Sequence, residues 1–215
     1  MLDLAQLWPF ILACLALNLT PGADMTYVIA RSATQGRGAG IAASFGIAAG
    51  SAVHSLLAAL GVAALLQQSA AAFLLIKIAG ALYLLYLAWK AWRSPAAMPV
   101  ARRLQSGISL IRVFGEGALT NLLNPKVALF ILAFLPQFVD PHRGSTLLQI
   151  LVLGLIFNIG GTTVNCLVAV SASGTAGLLR RRFSDGGSHI GRWLNRLTSV
   201  IFVGLALRLA FVERR

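Results

Sequence analysis

Two short polar segments carry the side chains of this sequence that are best suited to chemistry. Residues 18–24 read N-L-T-P-G-A-D, and residues 121–126 read N-L-L-N-P-K. Each segment combines amide or hydroxyl groups with a proline and one ionisable side chain, which is Asp24 in the first and Lys126 in the second. A carboxylate can bind an ammonium group or carry a proton, and an ammonium can bind a carboxylate. Together the two segments offer groups for a small charged or zwitterionic solute.

Both polar segments interrupt hydrophobic stretches that are long enough to cross a bilayer. A proline removes a backbone donor and clashes with the preceding turn, so each stretch is predicted to be a broken helix. In lipid, the freed carbonyls are tolerated only where protein or a water-filled cavity satisfies them. One such break in each half of a chain is typical of a transporter's binding site.

The composition indicates a membrane protein. The chain is 58% hydrophobic and 11% charged, with a mean hydropathy of +0.80, whereas soluble domains contain about 25% charged residues. At about 20 apolar residues per span, six helices fit, which leaves no room for a soluble catalytic domain. The predicted spans are Leu4–Ala30, Ile41–Leu66, Ala70–Trp89, Phe114–Phe138, Leu147–Ala172 and Trp193–Val212.

The net charge of +12 does not indicate nucleic-acid binding, because the basic residues fall between the predicted spans. Three loops carry twelve of them. The positive-inside rule then places these loops in the cytoplasm and both termini in the periplasm, where the basic loops also favour anionic lipid headgroups. The twelve are Arg31, Arg37, Lys90, Arg93, Arg102, Arg103, Arg112, Arg180, Arg181, Arg182, Arg192 and Arg196.

Asp24 is the carboxylate that lies deepest within a predicted span, about 10 Å from its centre at about 1.5 Å per residue. A charge at this depth costs about 2.5–3.5 kcal/mol on insertion scales, so it indicates function. We interpret Asp24 as a proton carrier or an anchor for a substrate ammonium; the structural alternative is an ion pair with Lys126. Lys126 can itself receive a substrate carboxylate. The candidate substrate- or ion-binding residues are Asn18, Thr20, Pro21, Gly22, Asp24, Asn121, Asn124, Pro125 and Lys126.

Three further polar residues are candidates for lining a cavity: His54, Asn158 and Asn165. His54 is a candidate because histidine is the residue type best suited to proton coupling, although a lone histidine is more often structural. Glu116, near the start of the fourth span, is expected to complement the helix dipole. The sequence shows no clustered metal ligands and no paired cysteines, so we expect no metal site and no cofactor.

The two halves of the chain resemble each other in order. The breaks at Pro21 and Pro125 correspond, Gly50-Ser51 with His54 corresponds to Gly161-Thr162 with Asn165, and a third pairing follows in the last spans. Three spans per repeat is an odd number, so the second repeat must be inverted. The sequence thus predicts one transmembrane domain, residues 1–215, with repeat one at about 1–93, a cytoplasmic loop at about 93–112 and repeat two at about 113–215.

The sequence resembles the lysine exporter (LysE/RhtB) family of amino-acid efflux proteins over nearly its full length. The resemblance is carried by N-L-T-P-G-A-D at 18–24, R-S-A-T-Q-G-R-G-A-G-I at 31–41, T-N-L-L-N-P-K-V-A-L-F at 120–130 and F-L-P-Q-F-V at 134–139. The family's first motif usually reads P-G-P, and Ala23 here is expected to soften the break. The resemblance implies export of amino acids or close analogues across the bacterial inner membrane, driven by the proton-motive force.

The predicted fold is therefore an all-α membrane protein of six transmembrane helices, arranged as two inverted three-helix repeats with helices 1 and 4 broken. A metal-ion exporter of related architecture is the alternative within transport, but it needs several converging oxygen or sulfur ligands. A membrane enzyme or redox carrier is the alternative from another class, and it needs a nucleophile with a base or vicinal cysteines. A homodimer through Gly46-x-x-x-Gly50 stands as the alternative to close packing within one chain.

Overall fold

The computed structural model describes residues 4–68, 70–93, 107–174 and 189–211, and within these ranges the ordered elements are all helical. Two short 3-10 turns, Leu135–Phe138 and Pro141–Arg143, connect the sixth helix to the seventh. The described residues form eight α-helices: α1 Leu4–Leu19, α2 Ala23–Gln35, α3 Arg37–Gln68, α4 Ala70–Arg93, α5 Leu110–Leu122, α6 Pro125–Phe134, α7 Thr146–Gly174 and α8 His189–Phe211.

The first and fourth predicted spans are each broken at the polar segment. Helices α1 and α2 meet at an angle of 52°, and α5 with the α6 segment at 57°. At the first break the backbone of Gly22 is fully extended. At the second break the backbone of Asn124 is also extended, with φ of −84° and ψ of 102°. The two bends are nearly equal. The first break is therefore about as sharp as the second, although Ala23 stands where the family motif has its second proline.

Helices α3 and α7 contain segments long and apolar enough to cross a membrane, at Arg37–Gly61 and Thr146–Ala172. Each bent pair also qualifies when it is taken as one span, so the described residues hold up to four candidate spans. Helix α8 contributes a shorter apolar stretch at Asn195–Leu207. The third and sixth spans therefore remain predictions from the sequence.

The predicted end of the first span was wrong, and with it the assignment of Arg31 to a loop. Helix α2 continues to Gln35, and Gly36, with φ of 84°, allows α3 to begin one residue later at Arg37. Arg31 is thus an intrahelical residue with only 2% of its surface exposed. Its burial is possible because a carboxylate on α5 pairs with it, as described below. The following predicted loop residues lie outside the described ranges: Arg102, Arg103, Arg180, Arg181 and Arg182.

An aromatic cluster holds the first half of the chain to the second. Phe10 of α1 meets Phe138 edge to face with ring centroids 5.1 Å apart, and Phe130 of α6 lies 5.5 Å from Phe157 of α7. Phe134 links these pairs, at 4.8 Å from Phe138 and 4.7 Å from Phe130. Such pairs add about 0.5–1.5 kcal/mol each beyond their burial. They fix α6 between α1 and α7, next to both breaks.

Small residues let α3 and α5 approach closely. A Cβ atom added to Gly50 would lie 2.7 Å from the Ala118 carbonyl oxygen, and one added to Gly117 would lie 2.7 Å from that of Ala43. Gly46 faces the backbone of α5 in the same way. The Gly46-x-x-x-Gly50 pattern is therefore used for packing within one chain, as the sequence analysis expected in place of the homodimer alternative.

Candidate functional site

The first break is closed by a side chain from the second. Pro21 has no N–H, so the Leu17 carbonyl lacks its usual donor four residues later. The Lys126 ammonium donates to this carbonyl at 2.9 Å and to the Thr20 carbonyl at 2.8 Å. The C-terminal end of a helix carries a partial negative charge, so a cation is stabilised there. Lys126 thus caps α1 from the opposite half of the chain.

The second break is completed in a parallel way by α3. Pro125 leaves the Asn121 carbonyl without its usual donor, and His54 Nε2 lies 3.2 Å from that oxygen. A carbonyl can only accept a hydrogen bond, so this contact requires a proton on Nε2. The Asn124 side chain accepts from the Lys126 backbone N–H at 3.1 Å and caps α6, and Pro125 occupies the first turn, where its missing N–H has no cost.

The carboxylate of Asp24 lies between the two breaks. Asn121 Nδ2 of α5 donates to Asp24 Oδ2 at 2.8 Å, while the other carboxylate oxygen, Oδ1, is buried and has no partner among the protein atoms. Asn18 Nδ2 is likewise buried without a partner. Buried polar groups are normally hydrogen-bonded, so these two atoms indicate a site for water or a ligand.

The ion pair between Asp24 and Lys126, considered above as the structural alternative, is absent. No carboxylate oxygen of Asp24 lies within 4.0 Å of the Lys126 ammonium, because that ammonium is turned toward the end of α1. The two opposite charges are therefore separate, and both face the same cavity.

That cavity has a volume of about 30 Å³, which is room for roughly two or three water molecules. It brings together residues from both broken segments and from α7. Gly161 of α7 packs closely beside it, since a Cβ added there would lie 3.1 Å from Asn18 Oδ1. The lining residues are Leu17, Asn18, Thr20, Gly22, Asp24, Met25, Asn124, Lys126, Val127 and Asn165.

Seven of the twelve residues singled out from the sequence line this cavity, and five do not. Asn121 bonds to Asp24 from behind, and His54 is held by the Asn121 carbonyl. Asn158 donates to the Ala48 carbonyl at 2.8 Å and so ties α7 to α3 instead of facing the cavity. The two prolines, Pro21 and Pro125, act on the backbone by creating the breaks.

A second polar cluster, which the sequence analysis did not foresee, joins α2 to α5. Arg31 donates to Glu116 Oε2 at 2.5 Å, and Tyr27 donates to the same oxygen at 3.1 Å. Arg31 also donates to Gln35, whose amide donates to the Ile108 carbonyl at 2.9 Å. Glu116 is not in the first turn of α5, so the expectation that it serves the helix dipole was wrong. The available signal was the four-residue spacing of Tyr27, Arg31 and Gln35 on one helix face.

This arrangement defines a class: a helical membrane protein in which two broken helices enclose a polar, charged cavity. A family model described as LysE type translocator matches residues 15–212, and the chain belongs to that family. An uncharacterised membrane protein of Pseudomonas aeruginosa is 32% identical over 97% of this chain and 96% of its own length. The chain is thus a multi-pass membrane protein of the translocator type.

Several relatives carry functional names, and two of them represent the two kinds of name. A homoserine/homoserine lactone efflux protein of Salmonella typhimurium is 32% identical over 68% of this chain and 70% of its own length. A leucine efflux protein of Salmonella choleraesuis is 26% identical over 96% of this chain and 95% of its own length. No solved structure gives a significant match to the chain.

Proposed function

We propose that this protein is a secondary transporter that exports amino acids or close analogues across the bacterial inner membrane. The observation that carries the proposal is the meeting of two broken helices at one cavity, with the Asp24 carboxylate from one and the Lys126 ammonium from the other. Opposite charges that are not paired with each other suit a zwitterion, which brings one charge for each. The efflux relatives support the same substrate class.

The architecture we propose is six spans in two inverted repeats. Helices α1 and α2 correspond to α5 and α6, α3 to α7, and α4 to α8. The support is that the two breaks have bends of 52° and 57° and that α3 packs against α7 while α4 packs against α8. Inverted repeats place the site at their interface and permit alternating access.

The cavity of about 30 Å³ is too small for an amino acid. We therefore assign the structure to a closed state of the transport cycle, in which the site is reduced to a few water positions. Opening must separate at least one of the elements around the cavity. Such a movement would either break the contact between Arg31 of α2 and Glu116 of α5 or move these two helices together.

The substrate class is tested by efflux of radiolabelled amino acids from cells that express the chain. Leucine and homoserine come first, followed by a cationic and an acidic amino acid. Cells with the empty vector set the background. Accelerated loss of one or more neutral amino acids is expected; background loss of every amino acid in the panel would refute the proposal.

We assign proton coupling to Asp24, and the test is Asp24→Asn. The amide can still accept the hydrogen bond from Asn121, so folding and insertion should be preserved, and losing a buried charge favours insertion. Proton-driven efflux should fall to background because an amide cannot carry the proton. The matched control is Asp140→Asn, at a half-exposed carboxylate that precedes a 3-10 turn. Wild-type efflux with an unchanged pH profile in the first variant would remove Asp24 from this role.

The proposed orientation places both termini in the periplasm and the basic loops in the cytoplasm. A reporter that is active only in the cytoplasm should stay silent when it is fused after Arg215 and should be active when it is fused after Ala97. The opposite result at both positions would overturn the orientation, and equal activity at both would overturn the odd number of spans between them.

A further inference from the structure

The Lys126 ammonium occupies a position that is built from backbone. Its two acceptors, the carbonyls of Leu17 and Thr20, belong to the last turn of α1 and to the break that follows. The break at Pro21 removes the donor four residues after Leu17, whose carbonyl still accepts from the Thr20 N–H at 3.2 Å. The position of both carbonyls depends on the backbone alone. Two converging carbonyls at the negative end of a helix form a site for any primary ammonium.

The same position adjoins the cavity and the unpartnered atoms. Leu17, Thr20 and Lys126 all line the cavity, and so does Asp24, whose Oδ1 has no partner. A small zwitterion that placed its ammonium at the two carbonyls would therefore have Asp24 beside it. The Lys126 ammonium thus occupies the position that the ammonium of the proposed substrate would take.

We propose that the Leu17 and Thr20 carbonyls are the ammonium subsite for the exported amino acid, and that Lys126 occupies this subsite only while the carrier is empty. When an amino acid arrives, its ammonium takes the two carbonyls, and the released Lys126 side chain turns to the substrate carboxylate one carbon away. This inference rests on the proposed function, since it names how that site recognises its substrate. It makes Lys126 a built-in substitute for the substrate, which keeps the freed carbonyls satisfied in the unloaded protein.

The geometry leaves Lys126 free to move. It has no ion pair with Asp24 within 4.0 Å, so no salt bridge has to be broken when it leaves. Gly22 borders its path without a side chain, and a Cβ there would lie 3.7 Å from the Lys126 ammonium. A cavity of about 30 Å³ lies next to the ammonium. A permanent structural cap has no need of this adjoining polar space.

The test replaces the tethered ammonium with a free one. Lys126→Ala removes three side-chain carbons and the ammonium, and n-propylammonium has the same atoms. This amine should therefore bind in the vacated space and raise the thermal stability of the purified variant. The wild-type protein should need at least about tenfold more amine for the same rise, because its own lysine competes at an effective concentration of about a millimolar or higher. Two controls should give no rise in thermal stability. The first is tetramethylammonium added to Lys126→Ala, because this ion has the charge but no N–H donor. The second is n-propylammonium added to Lys126→Arg, because the arginine keeps the carbonyl contacts.

Competition then separates a substrate subsite from a structural cap. Leucine and homoserine should increase the concentration of n-propylammonium that stabilises Lys126→Ala, whereas N-acetylleucine, which lacks the ammonium, should not. Independent binding of leucine and the amine would overturn the inference, as would an amine response no stronger than that of the wild type. If Lys126→Ala does not fold, Lys126→Met, whose side chain lacks only the terminal nitrogen, is measured with ammonium against the same criteria.

These binding measurements do not depend on transport, so they distinguish the inference from the proposed function. If the protein binds the amine in competition with leucine but exports no amino acid, the export function is refuted and the subsite is supported. Export of leucine without any amine response would refute the subsite and leave the function standing.

Discussion

Removing Glu116 should destabilise the protein more than removing its partner Arg31, although the two side chains share one ion pair. The Arg31 side chain is 3% exposed and the Glu116 side chain 35%. Glu116→Gln leaves a buried guanidinium without the carboxylate that pairs with it, whereas Arg31→Met leaves a carboxylate that is partly hydrated and still paired with Arg112 at 3.1 Å. The cost therefore depends on which charge remains behind.

The magnitudes follow from the burial of that remaining charge. Breaking a buried ion pair by removing one partner costs about 3–5 kcal/mol. Tyr27 and Gln35 still bond to Arg31, so we expect Glu116→Gln to lower the free energy of unfolding by about 2–4 kcal/mol. For Arg31→Met we expect about 1 kcal/mol, the upper range for exposed pairs. The double variant should be less destabilised than Glu116→Gln alone, because the charge it leaves without its partner, Arg112, is exposed.

The assay is reversible unfolding of the purified protein in mixed micelles with increasing sodium dodecyl sulfate, followed by circular dichroism. Arg143→Gln is the control, since its pair with Asp140 is half exposed on both sides and should change the free energy of unfolding by less than about 1 kcal/mol. An equal or larger loss for Arg31→Met than for Glu116→Gln would refute the reasoning. So would a double variant whose loss is the sum of the two single losses.

Two further substitutions test packing and capping, each against a matched control by the same assay. Gly50→Ala should destabilise by about 1–3 kcal/mol, because its Cβ would lie 2.7 Å from a backbone carbonyl of α5 and a backbone cannot yield as a side chain can; Gly61→Ala, which has open space on the same helix, should stabilise by about 0.5–1 kcal/mol. Asn124→Ala should cost about 1 kcal/mol through loss of the α6 cap, whereas Ser109→Ala at α5, where the side chain makes no capping bond, should cost little. Equal effects within either pair would contradict the packing or capping assignment.

The sequence was sufficient to predict the two breaks and the contact between them. A proline within an apolar segment has a local effect on the backbone, so Pro21 and Pro125 locate the bends without knowledge of the fold. The polar neighbours of each proline had to find partners inside the protein. Asn18, Thr20 and Lys126 all line the same cavity.

The partners themselves were not predictable, because they depend on how helices far apart in sequence rotate against each other. Lys126 and Asp24 have opposite charges and invited a direct ion pair, but the helix-end carbonyls took the ammonium instead. Arg31 seemed a loop residue because a charge usually ends a span. A carboxylate 85 residues away allowed α2 to continue past it, and single-sequence patterns contain no information on such a pairing.

The same bonds hold the fold together and form the candidate site, and this constrains how the protein can move. The proline of each break removes the donor four residues on, so each carbonyl accepts from the N–H three residues on and from a side chain elsewhere in the chain: Lys126 for Leu17 and His54 for Asn121. Neither broken helix is therefore complete without the other half of the protein or α3. A movement that separates these elements to open the cavity releases the side-chain donor, and the carbonyl then keeps its one backbone hydrogen bond and loses the other. A substrate ammonium or water can take over the bond at that moment, so the opening movement and the binding of the solute become one coupled step.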